Sequence, residues 1–311
     1  MTTDPTFDKR FLTPKYWGIW LGIGCLKLLS WLPYSAKFAT GRLIGRLMYR
    51  IARKRRKIAE KNLEIAFPEK TPAQRQRLCK QHFESLGMSF SEMALVWYGD
   101  HKTNHANAFE RSLVEFTGRE HLESALSKDK GVLLLSPHFT TLELTGLFLS
   151  FLTHYHAVYR PHNNPLMDYL IAKGRSIQFD NGETVEPVAN SNTRKMLKIL
   201  KSGEAMTLLP DQKYRAKGTV QVPLFSKNCP SNPATSKIAK LTQCLVVPLF
   251  TRRIQTDQGV RYQVEFLPAL ENFPSGDDIA DTARLHRLYE TAIRMTPEQY
   301  LWVHNRWDLK L

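Results

Sequence analysis

Gly131–Phe148, GVLLLSPHFTTLELTGLF, is the stretch whose reading decides the fold. Val132 to Leu135 form a short unbroken apolar run, the pattern of a strand buried on both faces. Pro137 disfavours helix at Ser136, so the strand ends in a sharp turn that displays His138. Thr140 or Thr141 can cap a helix, along which Leu142, Leu144, Leu147, Phe148 and Phe151 recur at helical spacing. His138 therefore sits on a strand-to-helix turn, with Glu143 about a turn and a half later. Ligand chemistry in open α/β sheets gathers outside such strand ends. The expected device is a dyad in which the Glu143 carboxylate holds one imidazole nitrogen while the other takes a proton from a hydroxyl.

His-x4-Glu spacing is common by chance, and the chain holds a second copy, His105 and Glu110. That pair lies in the polar stretch HKTNHANAFE with no strand before it, and reads as a solvated loop running into a helix. It serves as an internal control.

The 311 residues, with 42% hydrophobic and 23% charged, describe a globular protein with a substantial core and no repeat or low-complexity segment. Cys25, Cys79, Cys229 and Cys244 are scattered, which argues against a disulfide framework or a structural zinc site and fits a reducing compartment. The formal net charge of +15 calls for anionic partners. No nucleic-acid motif accompanies it, so nucleic acid is not the expected partner.

The amino terminus points to a lipid instead. Tyr16–Leu32, YWGIWLGIGCLKLLSWL, is apolar apart from Lys27, with Trp17, Trp20 and Trp31 placed as interfacial anchors. It reads as a spanning or deeply inserted anchor, residues 1–33, ahead of a main domain over residues 34–311. From Ser35 to Ile51, Phe38, Leu43, Ile44, Leu47 and Ile51 alternate with Lys37, Arg42, Arg46 and Arg50, the pattern of a basic amphipathic helix for an anionic membrane surface. RKRRK (Arg53–Lys57) extends the charge, and the excess of Lys and Arg places the main domain on the cytoplasmic side.

Further along, Thr71 with Gln74 forms a capping box that opens a long helix, on which Glu92 is able to reach the site. Arg160 ends the strand of HAVYRP and projects at a strand end, where a guanidinium can grip phosphate or steady an oxyanion. A buried strand through Met206 to Leu209 leads to Pro210-Asp211, another strand-end turn. Helices over Thr193–Lys201, Pro233–Leu241 and Asp278–Met295 alternate with strands in CLVVPLF and YQVEFLP. The expected fold is α/β, a mixed twisted sheet flanked by helices, with the amino-terminal anchor and the basic helix in front.

The order FPE, SPHFTTLE, YRPHNNP, LPDQ, VPLF and PEQYLWVHNRW resembles the late acyltransferases of lipid A biosynthesis, the enzymes that acylate Kdo2-lipid IVA, and most of all their lauroyltransferase branch. The resemblance implies a single-pass inner-membrane protein with a cytoplasmic catalytic domain, an acyl-carrier-protein donor and no metal or organic cofactor. It implies that His138 and Glu143 are the catalytic pair and that Arg160 and Asp211 bind substrate. Two departures stand out. Glu143 occupies the place where the broader glycerolipid acyltransferases have Asp, and Ser226 and Lys227 follow VPLF where many relatives have a glycine. A GxSxG elbow is absent and no Cys stands beside a His, so direct transfer is expected over an acyl-enzyme. The competing readings are a glycerophospholipid (lysophospholipid) acyltransferase, which shares the dyad, and a basic adaptor, which leaves His138 without a role.

Overall fold

The computed structural model describes residues 6–99, 111–179 and 183–310. The control pair His105/Glu110 lies outside the described residues.

Four helices lead the chain: α1 (Trp17–Trp31), α2 (Tyr34–Ile51), α3 (Arg53–Ala66) and α4 (Pro72–Tyr98). The capping box forms as expected, Thr71 accepting from the Gln74 N–H while the Gln74 side chain accepts from the Thr71 N–H. Then β1 (Val114–Thr117), α5 (Arg119–Leu126), β2 (Val132–Leu135), α6 (Leu142–Ser150), β3 (Tyr155–Tyr159) and α7 (Pro165–Arg175) alternate. The short strands β4 (Ile177–Gln178), β5 (Thr184–Val185) and β6 (Val188–Ala189) lead to α8 (Thr193–Lys201) and β7 (Ala205–Leu208). The hairpin β8 (Val220–Leu224) and β9 (Lys227–Ser231), then α9 (Ala234–Thr242), β10 (Leu245–Thr256), β11 (Gly259–Phe266) and α10 (Asp278–Met295) complete the order.

Seven strands form one mixed sheet in the order β1-β11-β10-β2-β7-β3-β6, antiparallel only between β10 and β11. β2 sits near its centre and all four of its residues are buried. Successive side chains of a strand point to opposite faces. Leu133 and Leu135 accordingly join a core with Phe83, Leu200, Ile238 and Tyr289. Val132 and Leu134 join another with Leu122, Leu144, Phe148 and Val264. Each such fully buried aliphatic side chain contributes roughly 1.5–3 kcal/mol. That two-sided burial is why the run is unbroken rather than alternating.

The amino terminus departs from expectation. α1 has 15 residues, a rise of about 22 Å, against a hydrocarbon core of about 30 Å. No helix among the described residues is long and apolar enough to cross a membrane. The expectation of a single-pass inner-membrane anchor, with its cytoplasmic placement of the main domain, is corrected accordingly. Trp17 and Trp31 are exposed, but Trp20 turns inward and donates its indole N–H to the Phe11 carbonyl at 2.7 Å. Leu26 and Leu29 pack on Ala94 and Trp97 of α4.

α2 is amphipathic, in line with its sequence pattern. Its Phe38, Gly41 and Gly45 face inward while Leu43, Leu47 and Ile51 remain exposed. Gly45 and Gly87 let α2 and α4 approach backbone to backbone, and a β-carbon on Gly87 would meet the Gly45 backbone. At the departure after VPLF, Leu224 pairs with Lys227 across a two-residue turn, and the left-handed φ of 53° falls on Phe225, the last residue of VPLF, and not on Ser226 or Lys227.

Residues 296–309 form a strap across the turn that follows β2. Leu301 donates to the His138 carbonyl at 3.0 Å, and the Thr140 N–H donates to the Gln299 carbonyl at 2.7 Å. Tyr300 bridges Phe139. Asn62 of α3 holds the strap from behind, donating to the carbonyls of Trp302 and His304.

Candidate active site

β2 and β7 are adjacent and parallel, with Leu135 opposite Leu208. His138 and Asp211 come after these residues at the same interval, each after a proline. Two parallel strands with matched ends therefore deliver the two side chains to one point. The His138 Nδ1 lies 2.5 Å from Asp211 Oδ1, and the His138 backbone N–H donates to Oδ2 at 3.0 Å. Asp211 is 2% exposed. Burial acts to raise its pKa, but the charge and hydrogen bonds of His138, with Arg306 nearby, outweigh it and hold the carboxyl at about 2. An ionised Asp211 requires a proton on the facing Nδ1, which leaves Nε2 as the nitrogen free for chemistry.

This geometry corrects the expected pairing. The hydrogen bonds of Glu143 go elsewhere. It stands in the first turn of α6 and faces α7, where Arg175 Nη2 donates to Oε1 at 2.5 Å and Arg175 Nε reaches the same oxygen at 3.2 Å. The other oxygen, Oε2, accepts from the Trp97 indole at 3.3 Å and from Arg175 Nε at 3.4 Å. In this chain the turn and the new helix aim Glu143 at α7, while the parallel neighbours β2 and β7 bring His138 and Asp211 together.

His138, Glu143, Arg160 and Arg175 all line one cavity of about 1580 Å³. This exceeds the roughly 300–1,000 Å³ usual for small-ligand sites. Its walls are largely apolar, including Trp20, Ile23, Leu147, Tyr169, Leu197 and Ile238, and its mouth carries Arg160, Lys213, Arg215, Lys217 and Lys237. Arg160 stands just past β3, the strand beyond β7, and lines the same cavity as His138. Among the described residues no cluster of side chains suited to a metal ion occurs.

Beneath the His138 turn lies a support that sequence reading largely missed. Glu92, expected to be within reach of the site, is fully buried and paired at 2.6 Å with Arg253 of β10. Arg253 also donates to Ser85, whose hydroxyl lies 2.7 Å from that of Thr140. Burial pushes the Glu92 carboxyl up while Arg253 and the Tyr262 hydroxyl oppose it. The Gln299 side chain brackets the Arg253 backbone with two hydrogen bonds, so the ion pair, the strap and the His138 turn form one unit.

Residues 4–308 match the family model described as bacterial lipid A biosynthesis acyltransferase. The chain belongs to that family. It is 34% identical to the lipid A biosynthesis lauroyltransferase of Escherichia coli (strain K12), over 100% of this chain and 97% of the relative. The palmitoleoyltransferase of the same organism is 31% identical, over 98% of this chain and 95% of the relative. Its lipid A biosynthesis myristoyltransferase is 24% identical over 96% and 89%. This lipid A acyltransferase thus aligns over at least 96% of its length with enzymes named for three different acyl chains. The strand-end turns SPH and LPD of the acyltransferase bring His138 and Asp211 together.

Proposed function

We propose that the enzyme transfers a fatty acyl chain, lauroyl by preference, from acyl carrier protein to a 3-hydroxyacyl hydroxyl of Kdo2-lipid IVA. The observation that carries the reading is His138, fixed through Nδ1 on buried Asp211 while its ring lines a large apolar cavity with a basic mouth. In this mechanism Nε2 takes the hydroxyl proton as the oxygen attacks the thioester carbonyl. The carbon–oxygen bond forms, the carbon–sulfur bond breaks, and the proton passes from the imidazolium to the departing thiolate. Asp211 keeps the tautomer and offsets the imidazolium charge.

Glu143 holds the Arg175 guanidinium at the cavity wall, where its charge stabilises the oxyanion of the tetrahedral intermediate. Arg160 and the lysines at the mouth meet the phosphates and carboxylates of the acceptor and the acidic face of the acyl carrier. The exposed apolar residues of α1 and α2, beside Arg53, Lys54 and Lys57, support contact with an anionic lipid surface from which the acceptor is drawn.

The test offers the purified full-length chain lauroyl-, myristoyl- and palmitoleoyl-acyl carrier protein with Kdo2-lipid IVA, and separately with a lysophospholipid. Mass spectrometry should show a single lauroyl addition to the lipid A precursor. Acylation of the lysophospholipid alone would replace this reading with the glycerophospholipid one.

A further inference from the structure

Glu143 is gripped from two helices. Arg175 forks onto it from the end of α7, and Trp97 reaches it from the last turn of α4. A forked guanidinium fixes one edge of a carboxylate, but the terminal torsion of a glutamate is broad and shallow. Arg175 Nη2 and Nε meet Oε1, and Nε reaches Oε2 only at 3.4 Å, all from one edge of one guanidinium, so the plane of the group is left free to rock. A donor on Oε2 from a different direction removes that freedom.

The indole can take this place only because residue 174 is glycine. A β-carbon built there would lie 2.5 Å from the indole Cε2 and 2.7 Å from Nε1, far inside van der Waals contact. The ring lies against the α7 backbone one residue before Arg175, and Leu26 and Leu29 of α1 belong to the apolar cluster that encloses it. Both donors to Glu143 are thus set by the same short segment of α7, one through its side chain and one through the lack of one.

We propose that Trp97, seated on Gly174, is a positioning residue for acyl transfer: its indole N–H sets the plane of the Glu143 carboxylate and through it the aim of the Arg175 guanidinium. This rests on the proposed function, in which the Glu143–Arg175 unit serves the transition state. It assigns a specific job to a tryptophan that otherwise counts as one more apolar wall residue.

The experiment compares full-length Trp97→Phe, which keeps an aromatic ring but has no donor, with Gly174→Ala, which keeps the donor but displaces it. Each is made in the native chain and in Glu143→Gln, and kcat and KM for donor and acceptor are measured with thermal melting as a check on folding. In the native background both variants should lower kcat about 10- to 100-fold, the range for a hydrogen bond to a charged group. Both KM values should stay within about twofold, since uniform binding is untouched. In Glu143→Gln neither should cause much further loss. Losses that multiply in the Glu143→Gln background, a change confined to KM, or unchanged kcat in Trp97→Phe would each overturn the proposal. If Trp97→Phe fails to fold, the Gly174→Ala cycle decides by the same criteria. Native kcat in Glu143→Gln alone would overturn the underlying assignment of Glu143 rather than the role of Trp97.

Discussion

His138 and Asp211 stand at equal intervals beyond Leu135 and Leu208, which face each other across adjacent parallel strands. Register, and not proximity in the chain, pairs the imidazole with its carboxylate. His138→Ala should lower lauroyl transfer about 10²–10⁴-fold, the usual scale of general-base catalysis. Asp211→Asn should come close to it, because the imidazole would lose its tautomer and the partner for its developing charge. The double variant should be hardly worse than His138→Ala, as expected for groups acting as one unit. Initial rates in a double-mutant cycle, with folding checked, measure this. Multiplicative losses would mean that Asp211 serves elsewhere.

Glu143 and Arg175 form a pair largely removed from solvent. Arg175→Ala leaves a carboxylate without its cation, so stability in urea should fall by about 3 kcal/mol, toward the lower end for breaking a buried pair. Arg175→Lys should recover part of that stability while failing to restore kcat, since an ammonium cannot make the fork. Glu143→Asp should be intermediate, the charge surviving one methylene further from both donors. Equal stability of Arg175→Ala and the native chain would show that the pair is solvated.

Burial lowers the pKa of His82, His286 and His304 from 6.5 to about 4. Between those values the unfolded chain binds more protons than the folded one. Stability should therefore be complete above about pH 6.5 and decline as the pH falls toward 4, each proton contributing about 1.4 kcal/mol per pH unit. Asp211, held at about 2, adds a separate loss only below its ordinary 3.8. Urea midpoints taken from about pH 7 down to pH 4.5 should fall steadily. A flat profile would mean that the three imidazoles remain accessible to water.

Arg53, Lys54 and Lys57 are exposed on α3, next to the apolar face of α2. Changing all three to Gln should weaken binding to anionic vesicles at least tenfold near 0.1 M salt, since each basic residue contributes about 1 kcal/mol. The difference should shrink at about 1 M salt, where the screening length is only about 3 Å. Vesicle sedimentation gives both readings, and insensitivity to lipid charge would remove α3 from the contact.

The elements were largely legible because their signals are local. An unbroken apolar run predicts a strand with two covered faces, and Val132–Leu135 is one. Thr71 and Gln74 are in capping range of each other along the chain, and the helix at Asp278–Met295 carries its own pattern. The pairing at the site was not legible, because it depends on which strands are neighbours. Asp211 and Arg160 both stand out at strand ends, yet nothing in the residues says that β7 and not β3 lies beside β2. One usable signal was present: SPH and LPD repeat the same pattern of apolar strand, proline and polar residue. Arg175 and Trp97 gave none, being ordinary residues near helix ends whose roles arise from what they touch. Apolar character alone read α1 as a span, whereas its Leu26 and Leu29 are used up on α4 and Trp20 lines the cavity.

The hydrogen bonds from residues 299–301 to the His138 turn also set the order in which the turn can be held during synthesis. His138 and Asp211 leave the ribosome well before Gln299 does, so the turn waits on a later segment of the chain for its backbone partners. A nascent chain that has reached only Glu298 should therefore carry both side chains on a loosely held turn. A protease cut just ahead of Gln299 should loosen the turn in the same way without touching either side chain.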